Sequence, residues 1–215
     1  MYTGKVLQTW EAERVVETPA RRLLRRDERH ASILHGAAAA FAGAGFASTS
    51  MEDVAEACGI TKLIVYRHFD SKEELYRAIL QKVFDRQAEE LVRRLEHPGQ
   101  PGLGTRTLLT VAREDPAAFT LLWRHAPREH QFSAYASELR AMSVAAVRDL
   151  MAISSDDPTF DTWAAEVVIG WLVEAVLTWL EVGEAARDDD LVTWATEGLR
   201  RMRTGWVESV IPFSP

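Results

Sequence analysis

The chain has 215 residues, a net formal charge of −7, 47% hydrophobic residues and one cysteine, Cys58. The hydrophobic fraction excludes a disordered chain, and the length allows one large or two small domains with a real core. A single cysteine excludes an internal disulfide, and no apolar run approaches the roughly 18–20 residues that span a bilayer. Because the first residues also lack a signal core, we expect a cytoplasmic protein without a membrane partner.

The charge is distributed unevenly. Residues 21–94 contain 13 Lys and Arg against 11 Asp and Glu, whereas residues 95–215 contain 10 against 18. This asymmetry fits a chain that binds nucleic acid through its first half, and it equally fits an unevenly charged solvated surface. Charge alone leaves both interpretations open.

The predicted elements are all helices. The first covers residues 27–43 and ends at glycines. The second begins at about residue 51, where Thr49 and Glu52 fit a capping box. The third begins after Thr61, a residue type that often caps helix N-termini.

A long helix is predicted over residues 72–96, where Ser71 and Glu74 fit a second capping box. Two prolines and two glycines in residues 97–102 end it. Further helices are predicted to start at Asp115-Pro116, to cover Glu129–Ile153, to run from Pro158 to about Glu181, and to follow Asp188-Asp189-Asp190.

Residues 55–69 have the pattern of two short helices joined by a glycine turn. Ala55 must be small because the next helix crosses closely there, and Gly59 must tolerate a positive φ. This spacing predicts a helix-turn-helix whose second helix enters the major groove of DNA. The apolar positions that seal it against the first helix are Val54, Ile60 and Val65.

The flanking residues extend this pattern over about residues 29–80. In order they are Phe41, Gly45-Phe46, Thr49-Ser50-Met51, Val54-Ala55, Gly59-Ile60-Thr61-Lys62, Tyr66-Arg67-His68-Phe69 and Ser71-Lys72-Glu73-Glu74-Leu75. Together they resemble the N-terminal domain of the TetR family of bacterial transcriptional regulators. The resemblance implies a homodimer that binds double-stranded DNA at a near-palindromic operator. It also implies a C-terminal domain that binds a small-molecule effector and releases DNA, with repression as the family's usual mode.

The resemblance also implies DNA-binding roles for particular residues. Hydroxyls and amides at the start of the second helix, aromatic groups late in the third, and a lysine at the start of the fourth would meet phosphates. The chain departs from the family at Leu63-Ile64, where many members carry a small residue followed by Ser or Thr. Two aliphatic residues can contact thymine methyl groups but donate no hydrogen bonds. The complete predicted set is Thr49, Ser50, Thr61, Lys62, Leu63, Ile64, Tyr66, Arg67, His68 and Lys72.

Three segments are expected. Residues 1–26 form a basic arm or a helical extension, residues 27–74 the DNA-binding domain, and residues 75–215 the helical regulatory and dimerisation domain, with helix 72–96 linking the last two. The arm can reach the minor groove, or its arginines can pair with nearby carboxylates. These arginines are Arg21, Arg22, Arg25, Arg26 and Arg29.

The second half carries many large apolar residues at helical spacing, which suits either a core or an interface. Following the resemblance, we predict that the last two long helices form the dimer interface through Trp163, Val167, Trp171, Trp179, Trp194, Leu199 and Met202. A pocket for a small apolar or aromatic effector is predicted among the middle helices. Its candidate residues are Phe119, Trp123, Phe132, Tyr135, Met142, Trp171 and Glu174.

Other functional classes fit the sequence less well. We expect no catalytic residue, metal or cofactor, because the sequence lacks paired Glu-x-x-His motifs, a phosphate loop and a nucleophile elbow. A nonspecific DNA-binding protein is disfavoured by the acidic second half. A helical interaction protein that does not bind DNA remains an alternative, because Leu63-Ile64 departs from the family pattern.

Overall fold

The computed structural model describes residues 19–97 and 99–210, with side chains over residues 26–97 and 99–206. The described residues form nine α-helices and no β-strand, so the predicted all-α fold is confirmed. Helix α6 continues into a π-helical turn (Leu121–His125) and a 3-10 turn (Ala126–Arg128), and a 3-10 turn (Ala185–Arg187) precedes the last helix. The helices are α1 (Pro19–Ala44), α2 (Met51–Ala57), α3 (Lys62–Tyr66), α4 (Lys72–Glu96), α5 (Leu103–Glu114), α6 (Pro116–Thr120), α7 (Ser133–Leu150), α8 (Pro158–Val182) and α9 (Asp188–Val210).

Two helices start at other places than the sequence indicated. Helix α1 begins at residue 19 rather than 27, so residues 19–26 continue it, while the side chains of Arg21, Arg22 and Arg25 lie outside the described residues. Helix α7 begins at Ser133 rather than Glu129, because the backbone around Pro127 first forms the 3-10 turn. The long helix α4 has the predicted bounds.

The capping box of α2 lies one residue later than predicted. The Ser50 hydroxyl accepts a hydrogen bond from the Asp53 N–H (3.2 Å), and the Asp53 carboxylate accepts one from the Ser50 N–H (2.7 Å). Thr49 does not cap the helix, because it is buried and its hydroxyl donates to the Gly45 carbonyl (2.7 Å). The Thr49 side chain therefore stabilises the α1–α2 turn, whereas the Ser50 side chain caps the start of α2.

Four buried aromatic rings join the two halves of the chain. Phe41 and Phe46 come from α1 and the turn after it, Tyr76 from α4, and Phe132 from the residue before α7. The Phe132 ring stacks on Tyr76 at 4.3 Å and meets the edge of Phe46 at 4.8 Å. Aromatic pairs at these separations add stability beyond the burial of their area. Helices α1, α4 and α7 are thereby packed against one core.

A buried carboxylate lies near the far end of α4. Glu90 is 1% exposed and lies among three arginines of the same helix. The Arg93 Nε donates to it at 2.9 Å and the Arg86 Nη2 at 3.1 Å, and the Arg94 Nε lies 2.8 Å away. Hydrogen bonds from Arg93 and then Arg86 lower the pKa of Glu90 from 4.5 to about 2 despite its burial. Arg86 also pairs with Glu114 (2.7 Å), which ties α4 to α5.

Helix α8 is more apolar than we expect from the sequence. By length and composition alone it could cross a membrane, which corrects the expectation that no run approaches that length. Half of its most apolar stretch is buried, and it packs against α5 and α7. This pattern is typical of the core helix of a helical domain.

We expect Glu90→Gln to lower the free energy of unfolding at pH 7 by roughly 2–4 kcal/mol, because three arginines lose the buried charge that they share. The pKa of Glu90 is lower in the folded state, so the stability from its ionised form is present above about pH 4.5 and is lost as the pH falls towards 2. Urea denaturation at neutral and at acidic pH should show the difference between the two proteins shrinking in acid.

Glu197→Gln is the matched control. Glu197 also accepts hydrogen bonds from two arginines, Arg200 and Arg201, which lower its pKa to about 2, but it lies on the exposed surface of α9. Exposed ion pairs contribute little to stability, so the control should unfold almost like the wild type. Equal losses in both variants would contradict the argument from burial.

Candidate nucleic-acid interface and ligand cavity

Helices α2 and α3 are joined by the predicted tight turn. Gly59 has a φ of +63°, and the Ile60 N–H donates to the Ala55 carbonyl at 2.9 Å. Val54 and Val65 are fully buried and Ile60 is half-buried. A residue with a Cβ at position 59 would be strained, because positive φ is readily adopted only by glycine. The turn therefore fixes the angle at which α3 leaves the core.

One face of α3 lies open to solvent. Leu63 is 63% exposed and Tyr66 42% exposed, and Thr61, Lys62 and Arg67 are exposed as well. This surface combines two cations, two hydroxyl groups and one aliphatic side chain, which are groups that contact phosphates and base edges in a major groove. The Thr61 hydroxyl makes no capping hydrogen bond, although Thr61 holds the predicted N-cap position.

Ile64 does not share this exposure. It is half-buried and packs against the hydrophobic core, next to the buried Val65. The aliphatic surface that α3 presents is therefore that of Leu63, which corrects the prediction that both residues offer it.

Lys62 has a partner within the domain. Its ammonium donates to the Glu52 carboxylate of α2 and lies 5.6 Å from the centre of the Tyr66 ring. The hydrogen bond from Lys62 lowers the pKa of Glu52, and the same bond raises the pKa of Lys62. Both side chains are exposed, so a phosphate can replace Glu52 at small cost. Glu52 thus holds Lys62 in place on the open face.

Lys72 is held by the backbone of the α1–α2 turn. Its ammonium donates to the carbonyls of Phe46 and Thr49, both at 2.8 Å, and lies 4.2 Å from the centre of the Phe46 ring. These contacts fix the start of α4 beneath the start of α2. Phosphate contact by its third N–H stays a prediction. For Thr49 the predicted hydroxyl contact is wrong in this conformation, because that hydroxyl is buried and bonded internally.

His68 lies at the edge of the exposed face, half-buried beside α1. Its ring centroid is 6.0 Å from that of His30 and 6.5 Å from that of Phe69. Burial, and then the nearby charges of His30, Arg26 and Arg29, lower the pKa of His68. The charged form is therefore disfavoured at neutral pH. Arg26 and Arg29 of α1 thus contribute positive charge near His68, which follows α3 in the chain.

A cavity of about 250 Å³ lies between α4, α5, α7 and α8. Its walls are largely apolar, and the polar side chains that line it are Gln87, Thr107 and Ser143. The predicted pocket residues lie elsewhere, with the exception of Met142. Most of the lining carries no signal that predicts it from the sequence. It consists of Phe84, Gln87, Ala88, Leu91, Gly104, Thr107, Leu108, Met142, Ser143, Ala146, Val147, Leu150, Ile169 and Leu172.

The other predicted pocket residues have structural partners. Phe119 is fully buried, Trp123 packs beside it with a ring separation of 6.4 Å, and Phe132 belongs to the aromatic cluster. The Tyr135 hydroxyl donates to Gln81, and exposed Glu174 pairs with Arg124 at 2.9 Å. These aromatic and charged groups therefore do not form one pocket, which corrects the prediction.

The predicted interface residues differ in how far the chain itself buries them. Trp163 and Trp194 are about half exposed, and Val167, Trp171, Leu199 and Met202 are partly buried. Trp171 packs beside Gly198 of α9, so it lies between the two helices and not in the cavity. Trp179 is buried, and its indole N–H donates to Asp188 at 2.8 Å. The prediction for Trp179 is therefore wrong, because the monomer already uses both its ring and its N–H.

Comparison with known proteins agrees with this geometry. The family model for bacterial regulatory proteins of the tetR family matches residues 33–79. The activator FasR of Mycolicibacterium smegmatis is 40% identical over 62 residues, 29% of this chain and 28% of FasR. The repressor KstR2 of the same organism is 36% identical over 69 residues, 32% of each chain. The chain thus matches about a third or less of the length of these two curated relatives, which are described as a transcriptional activator and a transcriptional repressor.

The fold of most of the chain is similar to that of solved regulators. The structure of AibR in complex with isovaleryl coenzyme A and operator DNA has a TM-score of 0.61 and 20% identity, and the match covers 80% of this chain and 97% of AibR. At this identity the likeness shows the fold alone. The resemblance to the TetR family, predicted over residues 29–80, is confirmed by the family model and the relatives.

We expect Lys72→Ala to reduce the free energy of unfolding by about 1–3 kcal/mol, because two carbonyls lose a charged donor. Lys62→Ala removes a lysine of the same domain whose partner is an exposed carboxylate, and it should change stability far less. Thermal or urea denaturation of both variants measures the contrast. The same small change in both would show that the contacts of Lys72 are not structural.

Proposed function

We propose that this chain, whose residues 33–79 belong to the tetR family of bacterial regulatory proteins, is a cytoplasmic regulator that binds a near-palindromic operator as a homodimer and responds to a small ligand. The observation that carries the proposal is the open face of α3. Thr61, Lys62, Leu63, Tyr66 and Arg67 are exposed there on a helix whose angle is fixed by Gly59. A nonspecific binder needs cations but has no use for an exposed aliphatic side chain on that helix.

An aromatic surface on α8 and α9 supports the dimer. Trp163 is half exposed and lies 5.3 Å from Trp206, measured between ring centroids, and Phe160 meets the edge of Trp206 at 6.0 Å. Trp194 and Val182 are exposed further along the same two helices. Large apolar groups exposed on neighbouring helices mark an interaction surface. A two-fold dimer through this surface would present two α3 helices to two half-sites, which is why we expect a near-palindromic operator.

The cavity supports control by a ligand. Helix α4 lines it through Phe84, Gln87 and Leu91, and the first residue of the same helix, Lys72, is bonded to the turn before α2. A ligand that displaces α4 would therefore change the position of the DNA-binding helices. One solved neighbour, AibR, is described with both a ligand and operator DNA, and one relative is described as a repressor. We propose repression relieved by ligand, with activation as the alternative.

The test is selection of bound duplexes from a random DNA pool at two salt concentrations. We expect a near-palindromic motif whose affinity falls steeply with salt. Lys62→Ala with Tyr66→Ala should abolish selective binding while the circular dichroism spectrum stays helical, because both groups lie on the surface. Salt-sensitive binding without a motif would instead identify a nonspecific binder. No enrichment at either salt concentration would identify a protein that does not bind DNA.

The exposed side chain of Leu63 leads to a prediction about which base of the operator it contacts. Its exposed side chain has no hydrogen-bonding group, so we expect it to contact a thymine methyl group. Replacing that thymine with deoxyuridine removes one methyl group and should weaken binding about fourfold per half-site. In Leu63→Ala the thymine and deoxyuridine operators should bind equally, as measured by fluorescence anisotropy. If no thymine in the operator shows this dependence, Leu63 does not read the base.

A further inference from the structure

The cavity between α4, α5, α7 and α8 contains a polar group that the fold does not satisfy. Gln87 is 9% exposed, lines the cavity, and its Oε1 has no hydrogen-bond partner among the described residues. Leaving a buried amide oxygen unpaired costs roughly 1–3 kcal/mol. As placed, this oxygen is sealed from solvent, and a half-turn about the last side-chain bond exchanges the oxygen and nitrogen of the amide, which can direct the oxygen into the cavity. The fold thus keeps an unpaired amide oxygen in the wall of a largely apolar cavity.

The two other polar groups in the wall can only accept. The Thr107 hydroxyl donates to the Leu103 carbonyl at 2.8 Å, and the Ser143 hydroxyl donates to the Leu139 carbonyl at 3.3 Å. Both protons are therefore in use, and the free lone pairs of both oxygens remain. With the Gln87 oxygen, the cavity holds three acceptors, and a molecule that fills it gains most by supplying a donor.

The cavity has no charged wall. None of the described residues that line it is Lys, Arg, His, Asp or Glu. A carboxylate or phosphate buried there would lose its hydration without a cation to replace it, which is strongly unfavourable. The volume of about 250 Å³ lies below the range of roughly 300–1,000 Å³ that is typical of sites for drug-sized ligands. The space therefore suits a small, uncharged, mainly apolar molecule.

We propose that the effector is an uncharged, mainly apolar molecule that carries a hydroxyl group, and that Gln87 is the residue that recognises this group. The hydroxyl donates to the amide oxygen and accepts from the amide nitrogen, while the apolar part fills the space between Leu91, Leu108 and Ile169. This inference rests on the proposed ligand control and assigns the chemical class of the ligand. It also disfavours a carboxylate or phosphate group within the uncharged interior of this cavity.

Three eight-carbon probes distinguish the effect of a hydrogen-bond donor from that of a charge. 1-Octanol has a donor, its isomer 1-methoxyheptane has the same atoms without a donor, and octanoate has a charge. Isothermal titration calorimetry with the full chain, without DNA, should show 1-octanol binding about tenfold tighter than the ether, because only 1-octanol donates to the unpaired oxygen. Octanoate should bind more weakly than 1-octanol by at least a similar factor.

Two variants test whether the probes bind in this cavity and whether Gln87 recognises the hydroxyl group. Gln87→Leu keeps the approximate volume and removes the unpaired amide, so the protein should fold, bind the ether at least as well as before, and lose its preference for 1-octanol. Ala146→Phe fills the cavity and should reduce the affinity for both neutral probes by tenfold or more. Circular dichroism confirms folding of both variants.

Several outcomes would overturn the proposal. These are equal binding of 1-octanol and the ether, a preference for octanoate, a preference that survives Gln87→Leu, binding that is unaffected by Ala146→Phe, and no binding of any probe up to its solubility limit. Because calorimetry needs no DNA and operator selection needs no probe, failure of the ligand assignment and failure of the proposed regulatory function are distinguishable.

Discussion

The packing of Phe132 against Tyr76 and Phe46 is the contact on which the rest of the structure depends. Tyr76 belongs to α4, and its ring lies 5.2 Å from that of Phe46 in the turn that precedes α2. The Lys72 ammonium binds the backbone of the same turn and lies over the Phe46 ring. The start of α4 therefore cannot move without disturbing either a buried aromatic cluster or a charged hydrogen bond. Because this turn precedes α2, the position of α2, and of α3 joined to it at Gly59, depends on this constraint.

Helix α4 carries the same constraint into the second half of the chain. Near the C-terminal end of α4, Glu90 lies within ion-pair distance of three arginines. One of them, Arg86, also binds Glu114 of α5. Helix α5 is in turn bound to the start of α9, where Arg113 pairs with Asp188 at 2.7 Å and Arg106 pairs with Asp189 at 2.8 Å. Asp188 also accepts from Trp179 of α8. Ion pairs thus connect the linking helix α4 through α5 to α9, and the hydrogen bond from Trp179 connects α9 to α8.

The sequence predicted the elements better than it predicted the neighbours of each side chain. Helix α4 has its predicted bounds, Gly59 has the predicted positive φ, and Asp115 caps α6 by accepting from the Ala118 N–H at 3.1 Å. These features depend on local chemistry, which a short stretch of sequence contains. The capping box of α2 was placed one residue early, because both Thr49 and Ser50 are competent caps. Only the tertiary turn, which takes up the Thr49 hydroxyl, distinguishes them.

The candidate pocket, by contrast, could not be predicted from local sequence. Helical spacing identifies which residues share a face, but not which partner that face meets. Aromatic residues on the middle helices therefore predict a pocket, whereas Phe119 and Phe132 are core residues in the structure. Many of the residues that line the cavity are small or aliphatic, and residues such as Ala146 and Gly104 leave space because their side chains are small. An empty space between four helices has no local signal in the sequence.

The sequence by itself determined that this is an all-α protein whose first part carries a helix-turn-helix, because periodicity, caps and a turn glycine are local properties. It also placed exposed DNA-binding candidates on α3, since the apolar positions of a short helix define its opposite face. Only the tertiary structure decided that Lys72 is bonded to a turn, that Trp179 is buried, and that Gln87 has an unpaired amide beside a cavity. Those facts depend on contacts between residues far apart in the chain, and helix packing alone brings them together.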